Sequence, residues 1–121
     1  MSRGIEIAGH VFVVTGGGNG IGREVVREIV MRGGTAAAVD GDSDGLAETA
    51  AELRGAPDRV STHVVDLTDR AAVEALATEV IERHGQVDGL VNVAGIIQPF
   101  VPIADLDLTV IEKVMAVNFW G

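Results

Sequence analysis

The sequence predicts an α/β fold, a three-layer, doubly wound parallel sheet with strand order 3-2-1-4. Three observations carry this reading. Short apolar runs alternate with longer amphipathic stretches, the pattern of repeating strand–helix–strand units. The first run, Val11-Phe12-Val13-Val14, is apolar without a break, as expected of a strand covered on both faces. A glycine-rich stretch then joins that run directly to a helical pattern. Right-handed crossovers between such strands leave helices on both faces of one sheet.

Each element has its own signal. The first strand is expected near His10–Thr15. A helix follows from about Gly20 to Arg32, with Ile21, Val25, Ile29 and Val30 on one side and Arg23, Arg27 and Glu28 largely elsewhere. Gly33 and Gly34 provide its left-handed stop. Thr35–Asp40 fits a second strand, although alanines 36 to 38 are weak strand formers and only the alternating context supports it. Either Asp42 or Ser43 is suited to cap a short helix carrying Leu46, Ala50 and Leu53, ended by Gly55, Ala56 and Pro57. Arg59–Asp66 reads as the third strand. Thr68 then caps a helix with Val73, Leu76, Ala77, Val80 and Ile81 on one face, and Gly85 stops it. Val87–Val93 is the fourth strand. A last helix begins near Asp107 and carries Leu108, Ile111, Val114, Met115 and Val117. No linker, low-complexity tract or short repeat divides the chain, so its 121 residues read as one domain.

Composition narrows the function classes. Hydrophobic residues make up 47%, which suits a globular core and argues against long disorder. Nine basic against eighteen acidic residues give a formal charge of −9, a field that repels nucleic-acid phosphates. No cysteine is present, which removes disulfides, thiolate chemistry and Cys-based zinc sites, and no metal site is expected. No apolar run reaches the length of a membrane span, and Val11–Val14 is too short for a secretory h-region. A cytoplasmic protein without nucleic-acid or membrane partners is the expectation.

The candidate binding loop reads Thr15-Gly16-Gly17-Gly18-Asn19-Gly20-Ile21-Gly22. A helix N-terminus offers unpaired N–H groups and a partial positive charge to a pyrophosphate, and glycine lets the backbone approach it. G-x-G-x-x-G matches in no frame, and the mononucleotide loop fails because Ile21 stands where its second glycine belongs. T-G-x-x-x-G-x-G does match, through Thr15, Gly16, Gly20 and Gly22. Asp40 closes the second strand, where a carboxylate can accept both adenosine ribose hydroxyls and would repel a 2′-phosphate. No basic side chain occupies positions 17 to 19 or 41. The expected ligand is therefore NAD rather than NADP. Asp66-Leu67 ends the third strand and Asn92-Val93-Ala94-Gly95 the fourth, where the small Ala94 and Gly95 would let a flat cofactor pass close to the backbone.

Taken together, these segments resemble the short-chain dehydrogenase/reductase family over nearly the whole chain. Thr15–Gly22 is similar to its cofactor loop, and Asp40 lies where its NAD-preferring members carry an acid. Asp66-Leu67 resembles its adenine-contacting pair. Asn92-Val93-Ala94-Gly95 resembles its N-N-A-G motif, with Val93 in place of the second asparagine. Val117-Asn118 resembles the segment bearing the asparagine of its catalytic tetrad. The resemblance implies a Rossmann-type sheet that binds NAD through Gly16, Gly18, Asn19, Gly20, Ile21, Gly22, Asp40, Asp66, Leu67, Asn92, Ala94, Gly95 and Val117. It implies hydride transfer with an alcohol or carbonyl substrate, a tyrosine acting as acid/base beside a lysine, a substrate-holding serine, and a homo-oligomeric assembly. The chain contains no tyrosine, Lys113 is its single lysine, and Ser2, Ser43 and Ser61 lie outside the catalytic region. Of the tetrad only Asn118 has a counterpart. The chain is thus expected to supply the cofactor-binding part, to end within the helix after the fourth strand, and to be inactive alone. A non-catalytic NAD-binding module or an assembly fragment is the alternative.

Overall fold

A computed structural model describes residues 6–93. The expected final helix, with Ala94, Gly95, Lys113, Val117 and Asn118, lies outside the described residues. The elements run β1 (Val11–Thr15), α1 (Gly20–Met31), β2 (Thr35–Asp40), α2 (Ser43–Glu52), a 3₁₀ turn (Pro57–Arg59), β3 (Val60–Val64), α3 (Arg70–His84) and β4 (Gly89–Asn92). All pairings are parallel and the sheet order is β3-β2-β1-β4, as the sequence predicts.

The alternation of side chains along a strand sorts the sheet into two faces. Phe12 and Val14 of β1 point with Ala36 and Ala38 of β2 toward α1 and α2, where Val25, Val26, Ile29 and Leu46 are buried. Val11 and Val13 point with Ala37 and Val39 to the opposite face, which α3 covers through Leu76 and Val80. The alanines of β2 are fully buried between these layers. Burial on both faces, together with pairing to both neighbours, overrides their weak strand propensity.

Several expected boundaries shift. β3 ends at Val64 rather than Asp66, and Arg59 belongs to the 3₁₀ turn. Asp42, one of the two candidate caps, caps α2 by accepting the Gly45 amide at 3.0 Å. Asp69, not Thr68, caps α3 by accepting the Ala72 amide. Thr68 is instead held by Asp66, which accepts its amide and its hydroxyl. The expected apolar face of α3 is only half realised. Leu76 and Val80 are buried, whereas Ala77 is exposed and Val73 and Ile81 are 38% and 50% exposed. They lie around the helix from the flank that meets the strands. In α2 the fully buried polar residue is Thr49, a position outside the expected stripe, while Ala50 and Leu53 are half-buried.

Candidate functional site

The sheet order reverses at β1, which has β2 on one side and β4 on the other. In open α/β sheets ligands bind outside the carboxyl ends of the strands at such a switch point. Thr15 and Asn92 are register partners there, and the Thr15 hydroxyl donates to Asn92 Oδ1 at 2.8 Å. The glycine loop leaves the sheet directly after Thr15. Gly16 takes φ 73°, a left-handed conformation that suits glycine. The loop then folds back against the first helical turn. A Cβ on Gly22 would lie 1.8 Å from the Gly16 carbonyl oxygen, so only glycine fits.

α1 begins at Gly20, after an extended Asn19 that makes no side-chain cap. Its first turn contains no acidic residue. The amides of that turn have no intrahelical acceptor, and no cap supplies one from Asn19. Ile21 is buried in the core, so its side chain anchors the turn and its contribution to a ligand is through the backbone.

Beneath the loop, cross-links run to β2 and α2. The Gly17 amide donates to the Val39 carbonyl at 3.1 Å. The Gly18 amide donates to Asp40 Oδ2 at 3.0 Å, and the Asp42 amide donates to Asp40 Oδ1 at 3.1 Å. Asn19 donates to Asp42 at 2.9 Å. The Thr49 hydroxyl, fully buried, donates to the Gly17 carbonyl at 2.9 Å and accepts from Arg23 Nε at 2.9 Å. The Arg23 guanidinium also donates to the Gly18 and Gly45 carbonyls and to Glu48.

Arg23 and Thr49 were not singled out by sequence reasoning. Arg23 reads as a charge off the apolar stripe, and nothing in the periodicity reveals that carbonyls await it. Its place directly after Gly22, at the end of the loop motif, is the one available hint.

A cleft of about 440 Å³ opens beside the loop, lined in part by Gly16, Asp40, Asp66 and Leu67. Four predicted binding residues, far apart in sequence, thus share one cavity. The Asp66 carboxyl is held below its ordinary pKa of 3.8, chiefly by the Thr68 hydroxyl and then by the Thr68 amide. Asp42 is lowered in the same direction, first by the Gly45 amide and next by Asn19. Among the described residues no group of three or more His, Cys, Asp or Glu is placed to hold a metal ion. Among them, too, no helix is long and apolar enough to cross a membrane.

The chain is 36% identical over 112 residues to 3beta-hydroxysteroid dehydrogenase 2 of Eggerthella lenta. It is 40% identical over 114 residues to levodione reductase of Leifsonia aquatica. Each match covers 93% of this chain and 43% of the relative, so the chain spans less than half the length of these proteins. A crystal structure of a short-chain dehydrogenase/reductase from Burkholderia phymatum in complex with NAD superposes with a TM-score of 0.67. It has 35% identity, and the match covers 71% of this chain and 31% of the other. The family model described as short chain dehydrogenase matches residues 10–121, the span that holds the T-G-x-x-x-G-x-G loop, Asp40 and the Asp66-Leu67 pair. With that loop seated at the switch point of a 3-2-1-4 parallel sheet, the chain belongs to the short-chain dehydrogenase family.

Proposed function

We propose that residues 1–121 are a single NAD-binding unit of an oxidoreductase that acts on an alcohol or carbonyl. The observation that carries this reading is the seat of Asp40 within the loop. A Cβ on Gly18 would already stand 3.0 Å from Asp40 Oδ2 and 3.1 Å from the Leu46 amide nitrogen. Position 18 is crowded and carries no basic side chain to hold a 2′-phosphate, and the Asp40 carboxylate would repel that phosphate. A carboxylate has lone pairs beyond the two that accept the Gly18 and Asp42 amides, and these can take ribose hydroxyls.

The cradle fits a pyrophosphate by its own construction. Gly22 packs without a Cβ against the Gly16 carbonyl, which draws the loop onto α1, and the uncapped first turn of α1 presents amides and the positive end of its dipole. Gly16, Gly18, Asn19, Gly20 and the backbone of Ile21 and Gly22 would hold the phosphates. Asp40 would hold the ribose, and Asp66 and Leu67 the adenine edge of the cleft. The end of β4 at Asn92 would face the nicotinamide side, and the family motif assigns Ala94, Gly95 and Val117 to the cofactor and Asn118 to a catalytic role. When bound, the nicotinamide supplies hydride exchange with the substrate carbon. This chain's own residues bind and orient the cofactor. With no tyrosine among the 121 residues, they provide no acid of the family's kind for the substrate oxygen. The exposed stripe of Val73 and Ile81 supports a homo-oligomer as the working assembly, and a cytoplasmic location accords with the composition.

Titration calorimetry with NAD and NADP tests the reading. NAD should bind more tightly than NADP, and Asp40→Ala should narrow that gap by about tenfold or more, the loss of roughly 1.4 kcal/mol of discrimination. The 121-residue chain should bind NAD without turning over any alcohol. Equal affinity for both cofactors in the unaltered chain would remove the NAD assignment.

A further inference from the structure

A second constellation lies on the far edge of the sheet, away from the loop. Ser61 and His63 are two residues apart on β3, so they share a face, the one that α3 covers. His84 and Glu79 come from α3. Both imidazole Nε2 atoms lie 2.8 Å from one atom, the Ser61 hydroxyl oxygen. His63 Nδ1 lies 3.3 Å from Glu79 Oε1.

The proton positions follow from this chain of contacts. Glu79 is an acceptor, so His63 carries its proton on Nδ1 and its Nε2 is bare. That bare nitrogen takes the Ser61 hydroxyl proton, and Ser61 Oγ accepts from His84 Nε2. Two ring nitrogens therefore aim at one point, and one of them already has its lone pair directed there. Beside them opens a cavity of about 550 Å³, lined in part by Ser61, His63, Glu79, Glu82 and Arg83.

We propose that His63 and His84 form a two-histidine site for a divalent transition metal ion such as Zn²⁺, with the Ser61 hydroxyl beside it. Imidazole is a preferred ligand for such ions, at about 2.0–2.1 Å from nitrogen to metal. When the ion binds, Ser61 keeps its hydroxyl proton and turns it away from His63 Nε2, and His84 moves its ring proton from Nε2 to Nδ1, so both Nε2 lone pairs face the ion. Glu79 stands as the carboxylate partner of a metal-bound histidine, fixing ring and tautomer through the nitrogen remote from the metal. Waters entering from the cavity complete the coordination. Glu79 and Glu82 outnumber Arg83 around it, and the chain as a whole carries −9. Among the described residues no third His, Cys, Asp or Glu joins the two rings, which makes this an open site rather than a closed structural one.

Zn²⁺ titrated into the full chain, above the usual imidazole pKa of about 6.5, tests this. One saturable equivalent should bind. His63→Ala and His84→Ala should each weaken it by about tenfold or more, and Glu79→Gln by about tenfold. His10→Ala, which removes the remaining histidine of three, should change nothing. Ring-nitrogen NMR of the unaltered chain guards against misfolded variants. The Nε2 signals of His63 and His84 should move with Zn²⁺ while those of His10 stay. Absence of saturable binding, affinity in both alanine variants unchanged from the unaltered chain, or movement of His10 alone would overturn the proposal.

Discussion

The corner around the glycine loop and the edge formed by β3 and α3 are built differently, although both place a helix on the same sheet. At the loop corner, α1 buries Ile21, Val25, Val26, Ile29 and Val30, and α2 adds Leu46. Polar links there cross between elements, with Arg23 of α1 reaching Thr49 of α2 and both reaching loop carbonyls. At the β3 edge, α3 buries only Leu76 and Val80 along its fifteen residues. The carboxylates at the entry to α3 bond within their own turn, Asp66 to Thr68 and Asp69 to Ala72. The physical lesson concerns unsatisfied amides. The loop is fixed from beneath by two of its amides, Gly17 to the Val39 carbonyl and Gly18 to Asp40, and by two of its carbonyls, Gly17 to Thr49 and Gly18 to Arg23. The amides left over are those of the uncapped first turn of α1, whereas α3 begins with a capped turn.

Truncating one apolar residue on each side gives the largest expected contrast. Ile29→Ala removes a fully buried side chain and should cost about 2–5 kcal/mol. Ile81→Ala acts on a side chain that is 50% exposed and should stay within about 0.5 kcal/mol. Urea denaturation reads both, and equal losses would erase the distinction between the two helices. Adding a methyl group is the next largest. Gly22→Ala drives a Cβ into the Gly16 carbonyl, and the strain should cost about 1–3 kcal/mol. Gly55→Ala meets nothing within 4 Å and should be close to neutral. A neutral Gly22→Ala would mean that the loop is free to shift, and its glycines would then carry no positional meaning.

How far the sequence foretold this architecture can be judged residue by residue. The strand order follows from alternation and crossover handedness, and the bounds of β2 coincide with the expected Thr35–Asp40. Those alanines have a further reason to be small, because a Cβ at Gly17 would meet the Ala38 Cβ at 2.8 Å. Where the loop crosses β2, close approach takes precedence over strand propensity. The cap of α3 was misplaced by one residue because Thr68 and Asp69 are both good caps. The helix begins at Arg70, where Asp69 accepts the Ala72 amide and Thr68 is turned to Asp66, contacts that depend on the turn geometry and not on residue type alone. Similarly, periodicity registers Val73, Ala77 and Ile81 as apolar but not how wide a helix flank the sheet can cover. Gly16, Asp40, Asp66 and Leu67 were legible because each sits at the carboxyl end of a strand or just beyond one. Arg23 and Thr49 were not, since their partners are backbone carbonyls brought close only by folding.

Those two residues offer a smaller test of the comparison. Thr49→Val keeps the shape but removes the donor to the Gly17 carbonyl and the acceptor of Arg23 Nε. Leaving buried groups unpaired should cost about 1–3 kcal/mol. NAD affinity, followed by calorimetry, should weaken as well, because the loop loses its support. Stability lost with affinity intact would show that the link serves the fold and not the loop.

Acid should give the smallest and most local difference. The Asp42 carboxyl lies below its ordinary 3.8, held there mainly by the Gly45 amide and then by Asn19. A pKa depressed by folding means that the unfolded chain binds the proton more readily. The stabilisation is therefore present above about 3.8 and is lost as pH falls through the lower folded value. The Thr68 hydroxyl and amide lower Asp66 in the same direction, so the same sign applies there. Reach is what separates the two. Asp42 joins the loop residue Asn19 to the first turn of α2, whereas Asp66 joins only a residue two positions on. Below about pH 3.8, protonating Asp42 should loosen amide protection through the first turn of α2, and protonating Asp66 should loosen Thr68 alone. Residue-resolved hydrogen exchange across that range distinguishes the cases. Protection falling equally at both turns would show that the cross-links under the loop are no more cooperative than a single local bond.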